Sequence, residues 1–167
     1  MPNITLKTGQ HLNEDAIGRL LNYMVSSPYI ISSGSRRVLS YNLQTVIDSF
    51  KVVQDKFDKT DGKRIHHIII GFHEKDLVAN GIATQIAEDV VSYLEKRFQC
   101  CYVVHHGSSD NPNYIHIHLA VNTISWLDGR RMSEELETLY NLAAYLRQST
   151  GEYYTVQTQA STEYDPE

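Results

Sequence analysis

Two histidines stand one residue apart in "NYIHIHLAVN", residues 113–122. Successive side chains of a β-strand point to opposite faces. His116, His118, Ala120 and Asn122 therefore share one face, and Ile115, Ile117, Leu119 and Val121 share the other. The second set is a clean core face, whereas the first is mostly polar. Two imidazoles at i and i+2 can converge on one divalent ion when a neighbouring strand supplies a third ligand. The segment "CCYVVHH" (100–106) offers His105 or His106, whose parities differ, so only one of them can join that face. A three-histidine set with no carboxylate also suits zinc at an open hydrolytic position, so the residue types leave the metal undecided.

The elements that must position these groups can be read from periodicity. Residues 13–25 predict a helix capped by Asn13, with Glu14 and Asp15 in its first turn and Ala16, Ile17, Leu20, Leu21 and Met24 as its apolar stripe. The Ser-rich stretch 26–40 reads as a loop or short hairpin, and 42–57 as a second helix. "RIHHIIIGF" (64–72) is a buried strand in which His66 and His67 lie mid-run, one of them able to face the histidine site and neither assigned as a ligand. A long helix follows over about 77–98, with Asp76 as its cap. Strands 100–106 and 114–124, joined by "GSSDNPN", predict an antiparallel hairpin. Ser133 caps a last helix, and 151–157 forms a final strand before a polar end. The sum is an α+β fold: a central antiparallel sheet with helices covering at least one face.

Length and composition agree with this. A chain of 167 residues, 41 % hydrophobic, makes one domain with a real core. No apolar run approaches the roughly 20 residues of a membrane span, and no secretory signal opens the chain. Cys100 and Cys101 are adjacent and poorly placed to bridge each other, which makes a reducing cytoplasm the expected compartment. The net charge of −5 argues against a protein that merely coats nucleic acid, while leaving room for a local basic groove. Basic pairs such as Lys63–Arg64 and Arg130–Arg131 could line one.

"HHGSSDNPNYIHIHLAVNTISWLDGRRM" resembles the histidine motif of conjugative and mobilisation relaxases, within the broad His-hydrophobic-His endonuclease class. In that motif a histidine ends one strand, a polar loop follows, and H-x-H-x-x-x-N lies on the next strand. The match reads His105, then His116, His118 and Asn122, then Trp126, Asp128 and Gly129. "KTDGKRIHHIIIGFHEKDL" and, more weakly, "AIGRLLNYMVSSP" resemble flanking segments of the same family. The chain departs from the family where His106, Gly107 and Ser108 replace the usual H-x-D.

The resemblance implies a relaxase-like fold over 1–157 followed by a flexible tail, 158–167. It implies metal-dependent cutting of one DNA strand at an origin of transfer, with a tyrosine attacking the phosphate to leave a 5′-phosphotyrosine and a free 3′-OH. Mg²⁺ or Mn²⁺ would sit on His105, His116 and His118, His105 being preferred to His106 because it follows "YVV". Glu74 and Asp76 would orient ligands, and Arg130 and Arg131 would contact DNA. Among eleven tyrosines, Tyr23 matches the nucleophile best; Tyr29 and Tyr41 follow. A rolling-circle initiator of the same class would instead use a tyrosine after the histidines, such as Tyr140 or Tyr145. A DNA-binding remnant without metal is a further alternative. The implied partners are single-stranded DNA, accessory relaxosome proteins and a coupling protein.

Overall fold

The computed structural model describes residues 1–9, 13–72, 79–107, 114–132 and 134–160. In chain order the elements are β1 (Asn3–Lys7), α1 (Ala16–Val25), β2 (Ile30–Arg36), α2 (Leu43–Lys56), β3 (Ile65–Gly71), α3 (Asn80–Leu94), β4 (Cys100–His106), β5 (Ile115–Asn122), α4 (Glu135–Thr150) and β6 (Thr155–Gln159). The strands form one sheet in the order β2-β4-β5-β3-β1-β6. All neighbours are antiparallel except β1 and β6, which are parallel. The predicted α+β class holds, and helices cover both faces of the sheet.

Alternation along the strands builds two cores. Ile68 and Ile70 of β3, Tyr102 and Val104 of β4, and Ile115, Ile117, Leu119 and Val121 of β5 pack beneath α3 and α4. On the other face Ile65, Cys101, Val103 and Ala120 pack under Ile17, Leu20, Leu21 and Met24 of α1 and Ile47 and Phe50 of α2. Burying large apolar side chains on both faces, at about 1.5–3 kcal/mol each, drives this layering, and the cluster under α3 and α4 is the larger of the two.

Several boundaries differ from the sequence reading. Helix α1 starts at Ala16, because Asn13–Asp15 close a turn in which the Asn13 carbonyl accepts from the Ala16 N–H at 3.0 Å. Asp15 occupies the N-cap without a side-chain hydrogen bond, so neither the Asn13 cap nor an acidic first turn forms. Helix α2 is capped by Asn42, whose side chain and Thr45 bond each other's backbone reciprocally. Helix α3 starts at Asn80 behind Ala79, so its N-cap is not Asp76, which itself lies outside the described residues, as does Ser133. The stretch 26–40, expected as a loop or short hairpin, contains edge strand β2. Its serines and Gly34 lack β propensity, but β4 supplies a backbone partner along its length. Strand β1 was absent from the sequence reading; five residues are too few for periodicity to register.

Candidate metal centre

The register of β4 on β5 decides which third histidine joins the pair. His105 sits directly opposite His116, and Val103 opposite His118. His105 therefore shares their face, while His106 points to the other and donates its backbone N–H to the Tyr29 carbonyl at 2.8 Å. The ligand nitrogens of His105, His116 and His118 all lie within 4.8 Å of one another. Ring centroids are 4.5 Å apart for His105–His118, 4.8 Å for His116–His118 and 5.1 Å for His105–His116.

Two of the three rings are oriented by hydrogen bonds. His105 Nε2 donates to the Met24 carbonyl of α1 at 2.8 Å, which leaves Nδ1 as the acceptor. His118 Nδ1 lies 2.9 Å from His67 Nε2, so with Nδ1–H donating, its Nε2 lone pair faces the cluster. His116 Nδ1 is buried with no hydrogen-bond partner among the described residues. Burial pushes all three imidazoles toward the neutral form that a metal requires. It lowers His105. It lowers His116 to about 4, with His105 adding like-charge repulsion. It holds His118 well below the ordinary histidine range, helped by His67 and the other two rings. An orphaned buried nitrogen beside two oriented, uncharged imidazoles is a donor set that fits a divalent ion.

Tyr23, half-buried near the end of α1, stands edge-on to this cluster. Its ring centroid is 5.7 Å from that of His118 and 6.1 Å from that of His67. The neighbouring residue, Met24, accepts from His105, so the last turn of α1 carries both this contact and Tyr23. Tyr29 is 53 % exposed, and Tyr41 is 85 % exposed. Tyr140 and Tyr145 lie on α4, against the opposite face of the sheet. Glu74 and Asp76 fall outside the described residues.

Asn122 does not approach the histidines. It lies six residues along β5 from His116, in a separate buried network. Arg130 and Arg131 are farther still in that direction. Arg131 bonds the Lys63 and Asp61 carbonyls at 2.9 and 2.8 Å, and Arg130 pairs with Asp128. The structure thus brings together Tyr23, His105, His116 and His118, and leaves the two arginines at the far end.

Sequence reasoning did not assign a role to His67, which orients His118, nor to the Met24 carbonyl. It also overlooked Gly71. Gly71 pairs with His116, and a Cβ there would collide with the Tyr114 hydroxyl. The bare glycine lets the Tyr114 ring lie over β3 and stack on His116 at 5.0 Å. The only local sign of His67 was its parity with Ile65 and Ile69; a contact with a residue 51 positions away leaves no local trace.

A cavity of about 280 Å³ opens beside the cluster, lined by Tyr23, His67, His116 and His118 and by polar residues of β1 and β6. A larger depression of about 500 Å³ lies along α4, but it is lined by alanines, Arg147, Gln148 and tyrosines, with no metal-ligating group. Among the described residues no helix is long and apolar enough to cross a membrane. Comparison with curated proteins finds no match. Residues 30–155, which take in every strand of the histidine cluster and stop short of α1, match the nuclease domain of MobA/VirD2-like relaxases. With that match over most of its length and three converging histidines on the expected strands, the chain belongs to the relaxase family.

Proposed function

We propose that this protein nicks one strand of DNA at an origin of transfer by tyrosine transesterification, with Tyr23 as the nucleophile. The observation that carries the reading is the convergence of three neutral imidazoles beside a half-buried tyrosine in a relaxase-family nuclease domain. His105, His116 and His118 would hold Mg²⁺ or Mn²⁺, which when bound supplies charge neutralisation and alignment at the scissile phosphate. The Tyr23 oxygen forms the new bond to phosphorus, the bond to the 3′ oxygen breaks, and the tyrosine's proton ends on that leaving oxygen or on water. A phenol with an ordinary pKa near 10 needs its proton removed as it attacks. The placement of Tyr140 and Tyr145 on the opposite side of the sheet favours Tyr23 over the rolling-circle arrangement. Accessory proteins of a relaxosome and a coupling protein are partners in keeping with this role, in the cytoplasm.

The test is incubation with labelled single-stranded oligonucleotides tiled across the DNA flanking the coding sequence, with Mn²⁺ and with EDTA. A covalent adduct stable to denaturation should form only with metal, on one oligonucleotide, and not with Tyr23→Phe. An adduct formed equally by Tyr23→Phe would sink the nucleophile assignment.

A further inference from the structure

We infer that the polar half of the sheet, the strip formed by β1 and β6 on the histidine face, is the track along which single-stranded DNA leaves the metal centre. This inference rests on the nicking reading and names a surface and residues for it.

The strip is polar by construction, and among the described residues Thr155, Gln157 and Gln159 are exposed on it while Thr5 lies buried beneath Gln157. Helix α1 packs on β3 and β5, and β1 and β6 extend the sheet beyond it. On the opposite face the same strands bury Ile4 and Leu6 and pack Val156 into the core. On the histidine face they present Asn3, Thr5 and Lys7 of β1 and Thr155, Gln157 and Gln159 of β6, matched rung by rung. Gln157 donates to Thr5 Oγ1 at 2.9 Å, Lys7 Nζ donates to Gln159 Oε1 at 2.7 Å, and Thr155 bonds Asn3.

Three features separate this strip from an ordinary solvated sheet face. It is continuous with the metal centre, since Lys7, Gln157 and Gln159 line the same 280 Å³ cavity as Tyr23, His116 and His118. Its charge fits a polyanion: a chain with 20 acidic residues places none on the strip and one lysine there. Its reach is right: Thr5 and Gln157 lie on the rung of His118, two and three strands across, or about 10 and 14 Å at the usual strand spacing. A strand whose phosphate sits at the histidines would put a neighbouring phosphate near Lys7. The paired amides would face unstacked bases, which side-chain amides can read through complementary donors and acceptors.

The experiment measures binding of a fluorescein-labelled, mixed-sequence single-stranded 20-mer by anisotropy across a NaCl series, with Mn²⁺ affinity measured by calorimetry on each variant. Lys7→Gln should weaken oligonucleotide binding severalfold and lower the log–log salt slope by about 0.7, the contribution of one phosphate contact on a single strand. Its Mn²⁺ affinity should stay within twofold of the parent. Gln157→Ala with Gln159→Ala should weaken binding with the slope unchanged, whereas Arg130→Gln should change neither quantity. An unaltered slope and affinity in Lys7→Gln overturns the track. If Lys7→Gln loses Mn²⁺ and DNA binding together, the double glutamine variant decides, and full oligonucleotide affinity there overturns the track as well. The two readings fail separately: a parent protein that forms the covalent adduct while Lys7→Gln binds normally refutes only the track, and one that shows the Lys7-dependent slope but never forms an adduct refutes only the nicking.

Discussion

The same face of β5 carries two polar clusters, and they are built on opposite principles. At one end Asn122 is fully buried and fully satisfied. Its Oδ1 accepts from Gln54 Nε2 at 3.0 Å and the Ile124 N–H at 3.1 Å, and its Nδ2 donates to Gln99 Oε1 at 2.8 Å and the Phe50 carbonyl at 3.2 Å. Those four bonds exhaust an asparagine's capacity and tie α2 to the sheet. At the other end His105 and His118 are buried and His116 is half-buried, and the His116 Nδ1 has no hydrogen-bond partner among the described residues. A buried polar group left unpaired costs about 1–3 kcal/mol. The satisfied cluster ties α2 to the sheet, whereas the histidine cluster keeps an unpartnered buried nitrogen beside two further imidazoles and could hold a metal ion.

The largest effects should break that contrast outright. Tyr23→Phe should abolish covalent capture of DNA while the protein remains folded by circular dichroism. The double change His116→Ala/His118→Ala should abolish Mn²⁺ binding by calorimetry. Removing the structural tie should do the reverse: Asn122→Ala strands the amides of Gln54 and Gln99 and should cost about 2–3 kcal/mol in urea denaturation, with Mn²⁺ affinity in the folded protein nearly unchanged. If Asn122→Ala instead abolished Mn²⁺ binding at full stability, the two clusters would not be separate.

A finer test concerns His67. A residue that fixes the tautomer of a ligand is commonly worth 10–100-fold in metal affinity. His67→Ala should weaken Mn²⁺ by that order, while His67→Gln, whose amide oxygen can accept from His118 Nδ1–H, should recover part of the loss. Equal affinity in the two variants would remove His67 from the site.

The smallest effect is on pH. In the metal-free protein the native imidazoles bind fewer protons than the unfolded chain between the ordinary histidine pKa of about 6.5 and the lowered native values, about 4 for His116. Native stability should therefore be fully present above pH 6.5 and decline as pH falls through that window. Urea midpoints in EDTA at pH 7.5 and 5 should show the decline, and His116→Ala/His118→Ala should flatten it.

Much of this was legible from the chain. The runs 64–72, 100–106 and 114–124 are strongly β-branched or alternating, and their strands fall within a residue or two of expectation. What escaped was short, weakly patterned or built by distant contacts. β2, at the sheet edge, exists because its backbone groups found partners on β4 and not because its side chains demanded extended structure, and β1 is too short for its alternation to register. Asn122, alike in parity to the histidines and part of the same motif, proved to belong to the other cluster.

The sequence alone determined that His116 and His118 face the same way, because a period of two is a property of the backbone. It determined too that their back face is core, because the intervening residues are all apolar. Only the tertiary structure decided the rest. The rung that sets His105 opposite His116 made it the third histidine of the cluster, and the packing of α1 brought Tyr23 and the Met24 carbonyl to it. The β3 register placed His67 against His118. Those are choices of register and packing, and a one-residue slip in any of them would turn every side chain of that strand to the other face.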